Sequence, residues 1–457
     1  YLFSLGHRKI AFFGVSPFDI HTRERLMGYL YGMRDCGLAV IPEYVQIPTV
    51  KIGGIEEIER FSMDILLFWK NFRKSPSSWQ FALGVTLIWR AIVTIITIFG
   101  YFLLPAHYAP SDLLAPIWQK NFLFWSAANF DGQHYLTIAN QGYGYADGFS
   151  LFAFFPFYPL LLKFFSFFFG KDLFLAGQAI IFLFLPLLIF FGNKWLSLKE
   201  YSKKEILMID SLFLFFPGAI FLNAFYTELP FLLFLILSFY FLEQKKYGWA
   251  SFWAALASAT RLVGIFLAPI IFWQILRDKK VSPLKKIGFP LFSSSGLLFY
   301  MLYLGINFAN PFLFGFSQAS WGRPTAIVLP TTTFLNYLKT IFFPPESLSF
   351  LNYYVVLLEF FLTLLALASF FSLWLKSCRE KTISPVLVFS TLAFLLPLLN
   401  GFLSSMPRYL MASLALFPYW AEKINQKGKK TKGFIYAIIF LVFSSGVILF
   451  TRGYWWG

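Results

Sequence analysis

Apolar runs of about twenty residues, the length that crosses a bilayer as a helix, recur from residue 81 to residue 451. Short polar stretches and Pro- or Gly-containing breaks separate them. The pattern predicts membrane helices at 81–104, 151–169, 173–192, 206–222, 224–242, 248–275, 287–305, 352–375, 384–400, 408–421 and 433–451, about eleven in all. The run 151–169 is interrupted by Pro156 and Pro159, and the run 248–275 by Thr260-Arg261 and Pro269. Backbone breaks at membrane depth need cover from protein or from a water-filled cavity, so both runs are candidates for broken or re-entrant helices. Residues 1–60 follow a different rhythm. LGHRKIAFFGVS reads as strand then turn, RERLMGYLYGMRDCGL as an amphipathic helix closed by Gly37, and AVIPEYVQI as a second strand. The expected architecture is an all-α polytopic membrane domain over 61–457 with large outer loops, preceded by a small α/β fragment over 1–60.

Composition strengthens this picture. Hydrophobic residues make up 58% of the 457 positions and charged residues only 13%, against about 25% charged in a soluble domain. A soluble fold of this size has no core large enough for them, which excludes that class. The net charge of +16 would point to nucleic acid in a soluble protein. Here the basic residues sit in clusters between apolar runs: Lys70/Arg73/Lys74, Arg277/Lys279/Lys280/Lys285/Lys286, Lys376/Arg379/Lys381 and Lys423/Lys427/Lys429/Lys430/Lys432. Cytoplasmic loops collect such residues, so the clusters read as topology markers, and no nucleic-acid partner is expected.

Placing Lys70–Lys74 and Lys423–Lys432 inside puts loops 105–150 and 306–350, and the short loop around Pro407, on the opposite side. Loop 105–150 agrees, with Lys120 alone against Asp112, Asp131 and Asp147. Strict alternation would put Lys194, Lys199, Lys203 and Lys204 outside as well, which a broken helix at 151–169 or 248–275 would repair. Cys36 and Cys378 suggest no disulfide framework, and the four histidines show no metal-ligand spacing. No cleavable signal peptide is visible, and the span near 81 is expected to serve as an uncleaved anchor.

Polar groups beside or within membrane spans are costly and mark function by default. Several strings of them fall on the outer side. The first loop carries Asn129-Phe130-Asp131-Gly132-Gln133-His134-Tyr135 and runs into Ala153-Phe154-Phe155-Pro156-Phe157-Tyr158-Pro159. Tyr226-Thr227-Glu228 lies between two spans, Thr260-Arg261 inside another, Gln318 and Trp321-Gly322-Arg323 in the second outer loop, and Ser405-Met406-Pro407-Arg408-Tyr409 near the end.

In content and in order, these strings resemble the mannosyltransferase family that adds the second mannose to glycosylphosphatidylinositol anchors, together with its prokaryotic relatives. That family belongs to the GT-C superfamily of multispan glycosyltransferases that use lipid-linked sugars. The resemblance covers roughly residues 80 to 450 and rests on five motifs in sequence rather than on any one. It implies a GT-C-like bundle and a sugar donor, mannose on polyprenyl or dolichyl phosphate. It also implies a glycolipid or glycan acceptor, no metal or other cofactor, and the first-loop acidic residue as base. Residues 1–60 resemble the opening of a lac-repressor-type periplasmic-binding domain, with Gly6-His7-Arg8-Lys9-Ile10-Ala11 leading its first strand. The match spans about 45 residues, too few to close a ligand cleft. Because the chain opens on Tyr1, this piece is expected to be a truncated or misjoined reading frame in preference to a native fusion.

The chemistry accounts for these residue types. Inverting sugar transfer needs one base to take the acceptor proton, and the departing lipid phosphate needs cations in a poorly solvated site. Asp131 is the candidate base. Arg323 and Arg408 are candidate phosphate ligands, since a planar guanidinium binds phosphate oxygens bidentately. Arg408 is preferred, and a snorkelling anchor is the alternative for each. His134 either binds donor phosphate or acceptor, or packs within the loop. Glu228 either orients a sugar hydroxyl or pairs with an arginine, and Arg261 is its natural partner. Gln133, Tyr226, Gln318, Trp321 and Tyr409 complete the expected substrate-binding set. The site is expected on the non-cytoplasmic face of a plasma membrane in a prokaryote, or of the endoplasmic reticulum in a eukaryote. Two other functions remain: a GT-C enzyme acting on protein or a cell-wall polymer, and a lipid-sugar transporter. No long internal repeat is evident, which counts against a transporter built from inverted halves.

Overall fold

The computed structural model describes residues 12–13, 20–35, 45–46, 75–107, 126–146, 148–324, 326–399 and 401–456. It divides into two units, Tyr1–Lys74 and Ser75–Gly457. In the first, β1 (Phe12–Phe13) is followed by α1 (Ile20–Asp35) and β2 (Val45–Gln46). The strands pair in parallel, Phe12 opposite Val45 and Phe13 opposite Gln46. Parallel neighbours need a crossover, and α1 supplies it. Leu26 and Met33, seven residues apart and so on one helical face, are buried.

The second unit is helical. Four of its helices are long and apolar enough to cross a membrane: α2 (Trp79–Leu103), α5 (Leu173–Leu198), α14 (Phe350–Glu380) and α18 (Lys429–Thr451). Two bent pairs raise the number to six among the described residues. One is α6 (Lys203–Leu214) with the 3-10 turn Pro217–Asn223, bent by 80°; the other is α10 (Pro283–Ser293) with α11 (Ser295–Phe308), bent by 57°. Between them stand α3 (Asp131–Gln141), the β3–β4 hairpin (Tyr145–Ala146 and Phe149–Ser150) and α4 (Phe157–Ser166). There follow α7 (Glu228–Glu243), α8 (Tyr247–Thr260), α9 (Leu267–Leu276), α12 (Leu313–Phe316) and α13 (Pro330–Phe342). The remainder are α15 (Pro385–Leu398), α16 (Met406–Leu410) and α17 (Leu416–Asn425).

Local chemistry explains the helix ends. Asp172 caps α5 by accepting from the N–H groups of Phe174 and Leu175, and Ser202 with Glu205 forms a reciprocal capping box on α6. Helix α7 is apolar on every side and buried on nearly every side, from Leu229 to Phe239, as expected of a helix at the centre of a bundle. It packs on α5 and α8, while α2 packs on α5 and α18. Trp89 of α2 donates to the Leu214 carbonyl at 2.7 Å, pinning the end of α6. Outward-facing apolar side chains are plentiful: Phe102, Phe167 and Ile306 are 78%, 79% and 73% exposed. Such a surface, with helices of this length, belongs to a membrane protein.

Several expected spans prove shorter or broken. Residues 151–169 form a 3-10 turn (Leu151–Ala153), α4 and a second 3-10 turn (Phe167–Phe169). Residues 248–275 break where Arg261 adopts an extended backbone (φ −151°, ψ 145°) between α8 and the 3-10 turn Leu262–Phe266. The expected span 408–421 is corrected outright, because it folds as the one-turn α16 and the ten-residue α17. Ser405 takes a left-handed conformation (φ 70°), Pro407 opens α16, and Ser413 turns aside to donate to the Ser390 carbonyl at 3.2 Å. These polar and prolyl constraints outweigh the apolar average of the stretch.

Candidate functional site

The first-loop motif is held from behind. Asn129 is fully buried, and its side-chain amide donates to the Phe450 carbonyl at 2.6 Å. The Tyr226 hydroxyl donates to the Asn129 carbonyl at 3.0 Å and accepts the Asp131 N–H at 3.1 Å. Phe130 sits at φ 53° immediately before the helix, so the chain turns sharply and sets Asp131 at the first position of α3. A carboxylate suits the positive end of a helix.

Three further segments join Asp131 through Arg408. Glu228 begins α7 and is 1% exposed. Arg261 leaves the helical path at the α8 break and forms an ion pair with Glu228 Oε1. Arg408, on α16, donates through Nε to that same oxygen and through Nη1 to Asp131 Oδ2 at 2.6 Å. Among the described residues Glu228 Oε2 is buried without a hydrogen-bond partner. The Arg408 guanidinium also lies 4.8 Å from the Tyr226 ring centroid and 5.4 Å from that of Phe221. Gly218 allows this packing: a Cβ there would run into the Pro407 carbonyl, so only a bare backbone lets the 3-10 turn Pro217–Asn223 touch the α16 turn.

The second outer loop closes the site. Trp321 stacks on Phe149 at 4.6 Å, donates to the Ser150 carbonyl at 2.9 Å, and meets the His134 ring edge-on at 4.8 Å. Arg323 donates to the Tyr409 hydroxyl at 3.0 Å. These groups surround a cavity of about 1040 Å³. Nine of the expected residues line it: Asp131, His134, Glu228, Arg261, Gln318, Trp321, Arg323, Arg408 and Tyr409. The other two do not. Tyr226 is 2% exposed and braces the loop from behind, and Gln133 is 4% exposed on the inner side of α3. Thr227, Thr260 and Tyr135, which stand in the same strings but were given no role of their own, also line the cavity.

The charges are unequal. Arg261, Arg323 and Arg408 face Asp131 and Glu228, three positive groups against two negative, so the cluster carries a net +1. Burial alone would raise the Asp131 carboxyl, but Arg408, with His134 and Arg323 behind it, holds it below the usual carboxylate range. Arg408, expected from the sequence to face donor phosphate, is instead engaged by two carboxylates at once. Arg323, whose partner is a neutral hydroxyl, keeps the freer charge.

Sequence reading passed over Glu359. It is the single carboxylate within the expected span 352–375, a signal that intramembrane charge alone would have raised. Among the described residues no group of three or more His, Cys, Asp or Glu is arranged to hold a metal ion. No protein-family model, curated protein or solved structure matches the chain.

Proposed function

We propose that this chain is an inverting glycosyltransferase of the GT-C type, moving a sugar, mannose by resemblance, from a polyprenyl-phosphate carrier to a glycolipid or glycan hydroxyl. One observation carries the reading. Five separate segments, each already suspect in the sequence, deliver two carboxylates and three guanidiniums to one cavity at the ends of apolar helices. The combination suits a neutral nucleophile that must lose a proton and a leaving group that departs as an anion.

In this reading Asp131 is the general base. The acceptor oxygen attacks the anomeric carbon and forms the new C–O bond, while its proton passes to the Asp131 carboxylate. The bond from the anomeric carbon to the phosphate oxygen breaks, and the electron pair leaves with the lipid phosphate. Arg323, and Arg261 beside it, receive that developing charge. Arg408 keeps Asp131 ionised and aimed into the cavity, which revises its role from phosphate ligand to positioning group. The surplus positive charge gives an anionic donor somewhere to bind. The shorter helices α4, α8–α9 and α15 count here as parts of spans and, with α7, bring the six to a bundle of about ten. The cavity then opens to the non-cytoplasmic face of a plasma membrane or of the endoplasmic reticulum.

The test is transfer itself. Purified protein is incubated with radiolabelled polyprenyl-phosphate sugars and a membrane extract, and the products are separated from donor. Appearance of a labelled product that Asp131→Asn abolishes supports the reading. Donor that crosses vesicles intact, with no product formed, would replace the enzyme with a transporter. Labelled protein or polymer in place of glycolipid would keep the chemistry and change the acceptor.

A further inference from the structure

Glu359 lies nine residues into α14, roughly 14 Å along its axis. An ionisable group at such depth is expensive and calls for a partner. The side chain is buried, 2% exposed, and no Lys, Arg or His among the described residues forms an ion pair with it. Its two oxygens are nevertheless both used. Oε1 accepts the Ser405 backbone N–H at 2.8 Å, and Oε2 accepts the Tyr337 hydroxyl from α13 at 3.1 Å.

Ser405 makes the first of these bonds informative. Its φ of 70° is one that L residues rarely adopt and keep only where their surroundings enforce it. Its carbonyl accepts from the N–H groups of both Arg408 and Tyr409 at 3.0 Å, so Ser405 is the point from which α16 starts. The left-handed turn aims its own N–H away from α16 into the interior, where Glu359 is the acceptor. One side chain thereby fixes the residue that fixes the direction of Arg408, and through Arg408 the carboxylate of Asp131.

We propose that Glu359 is a positioning residue for this site: by accepting the Ser405 N–H it holds the turn that presents Arg408 to Asp131 and Glu228. Its kinetic consequences rest on the glycosyltransferase reading, but the contact itself does not. The groups facing Asp131 are Arg408, His134 and Arg323, with Tyr226 bonded to its backbone and Tyr135 beside it. Loss of Arg408 from that set removes the main group holding the carboxyl low.

The experiment uses the full chain with Cys36 and Cys378 replaced by Ser and Ser404→Cys added, since Ser404 lines the cavity next to the turn. Thiol labelling at this position reports the turn without any need for activity. Glu359→Leu is expected to raise the labelling rate at least about tenfold, and Glu359→Gln, whose amide oxygen still accepts, to stay within about twofold of the parent. Glu359→Asp retracts the acceptor by one methylene and should behave like Glu359→Leu, so it carries the test if the leucine variant does not fold. In transfer assays, Glu359→Leu or Glu359→Asp should lower kcat about tenfold or more with donor KM little changed, and move the acid limb of kcat/KM to higher pH. A residue that merely glues α14 to α13 would move neither the acid limb nor the labelling. Folded Glu359→Leu and Glu359→Asp proteins that label at the parental rate would overturn the proposal. A parent chain that transfers no sugar would sink the enzyme reading while the labelling still decides the contact.

Discussion

Replacing Arg408 with Gln probes the centre of the site, because the two acids it serves are not equally dependent on it. Glu228, 1% exposed, retains Arg261 on the same oxygen, whereas Asp131 loses its one ion-pair partner among the described residues. Removing one partner from a buried pair costs about 3–5 kcal/mol through the charge left behind. The Asp131 side chain is 25% exposed and Glu228 stays paired, so the lower end, about 3 kcal/mol, applies. Arg261→Gln should cost less, about half as much, since Arg408 still bridges both acids. Thermal unfolding in detergent, followed by tryptophan fluorescence, should rank Arg408→Gln below Arg261→Gln and both below wild type. The pH profile adds a second reading. In the native protein Arg408 outweighs burial and holds the Asp131 carboxyl low, so the stabilisation is complete above the ordinary carboxylate value of about 3.9 and is lost as pH falls below it. In Arg408→Gln burial prevails, the carboxyl rises, and transfer should fail at a higher pH than in wild type. Equal destabilisation by the two variants, with an unmoved acid limb, would refute the asymmetric bridge.

Asp131→Asn preserves shape but cannot accept a proton; with a general base contributing about 10²–10⁴-fold, turnover should fall at least a hundredfold while donor binding persists. Asp147→Asn in the same loop serves as the control, and activity lost there but kept in Asp131→Asn would move the base. Arg323→Ala should weaken donor binding about ten- to hundredfold, the scale of one charge-assisted hydrogen bond, with kcat less affected; unchanged donor binding would return the phosphate to another arginine. Cysteines at Tyr145 and Ser320 should react with an impermeant thiol reagent in intact cells and one at Lys429 should not, and labelling of Lys429→Cys alone would invert the topology.

The membrane class of this protein was legible residue by residue, because hydropathy is a local, additive property. So were the strings around Asp131, Glu228, Arg261, Arg323 and Arg408, since charge beside an apolar run stands out without any knowledge of the fold. The helix ends were less so. A window of twenty residues averages across Pro407, Ser413 and Pro418, and hides that α16 and α17 are separate pieces joined by side-chain bonds to Ser390. The direction of individual side chains was not legible at all. Tyr226 sits in the motif yet faces backward to brace Asn129, and Glu359 lies outside every motif yet holds the Ser405 turn. Partner choice was decided only in three dimensions. Arg408 meets Glu228 across 180 residues and Asp131 across 277, and nothing in the sequence near any of the three distinguishes that pairing from a phosphate contact. An ion pair depends on where separate helices end and how closely they pack, and those distances are set by the whole bundle.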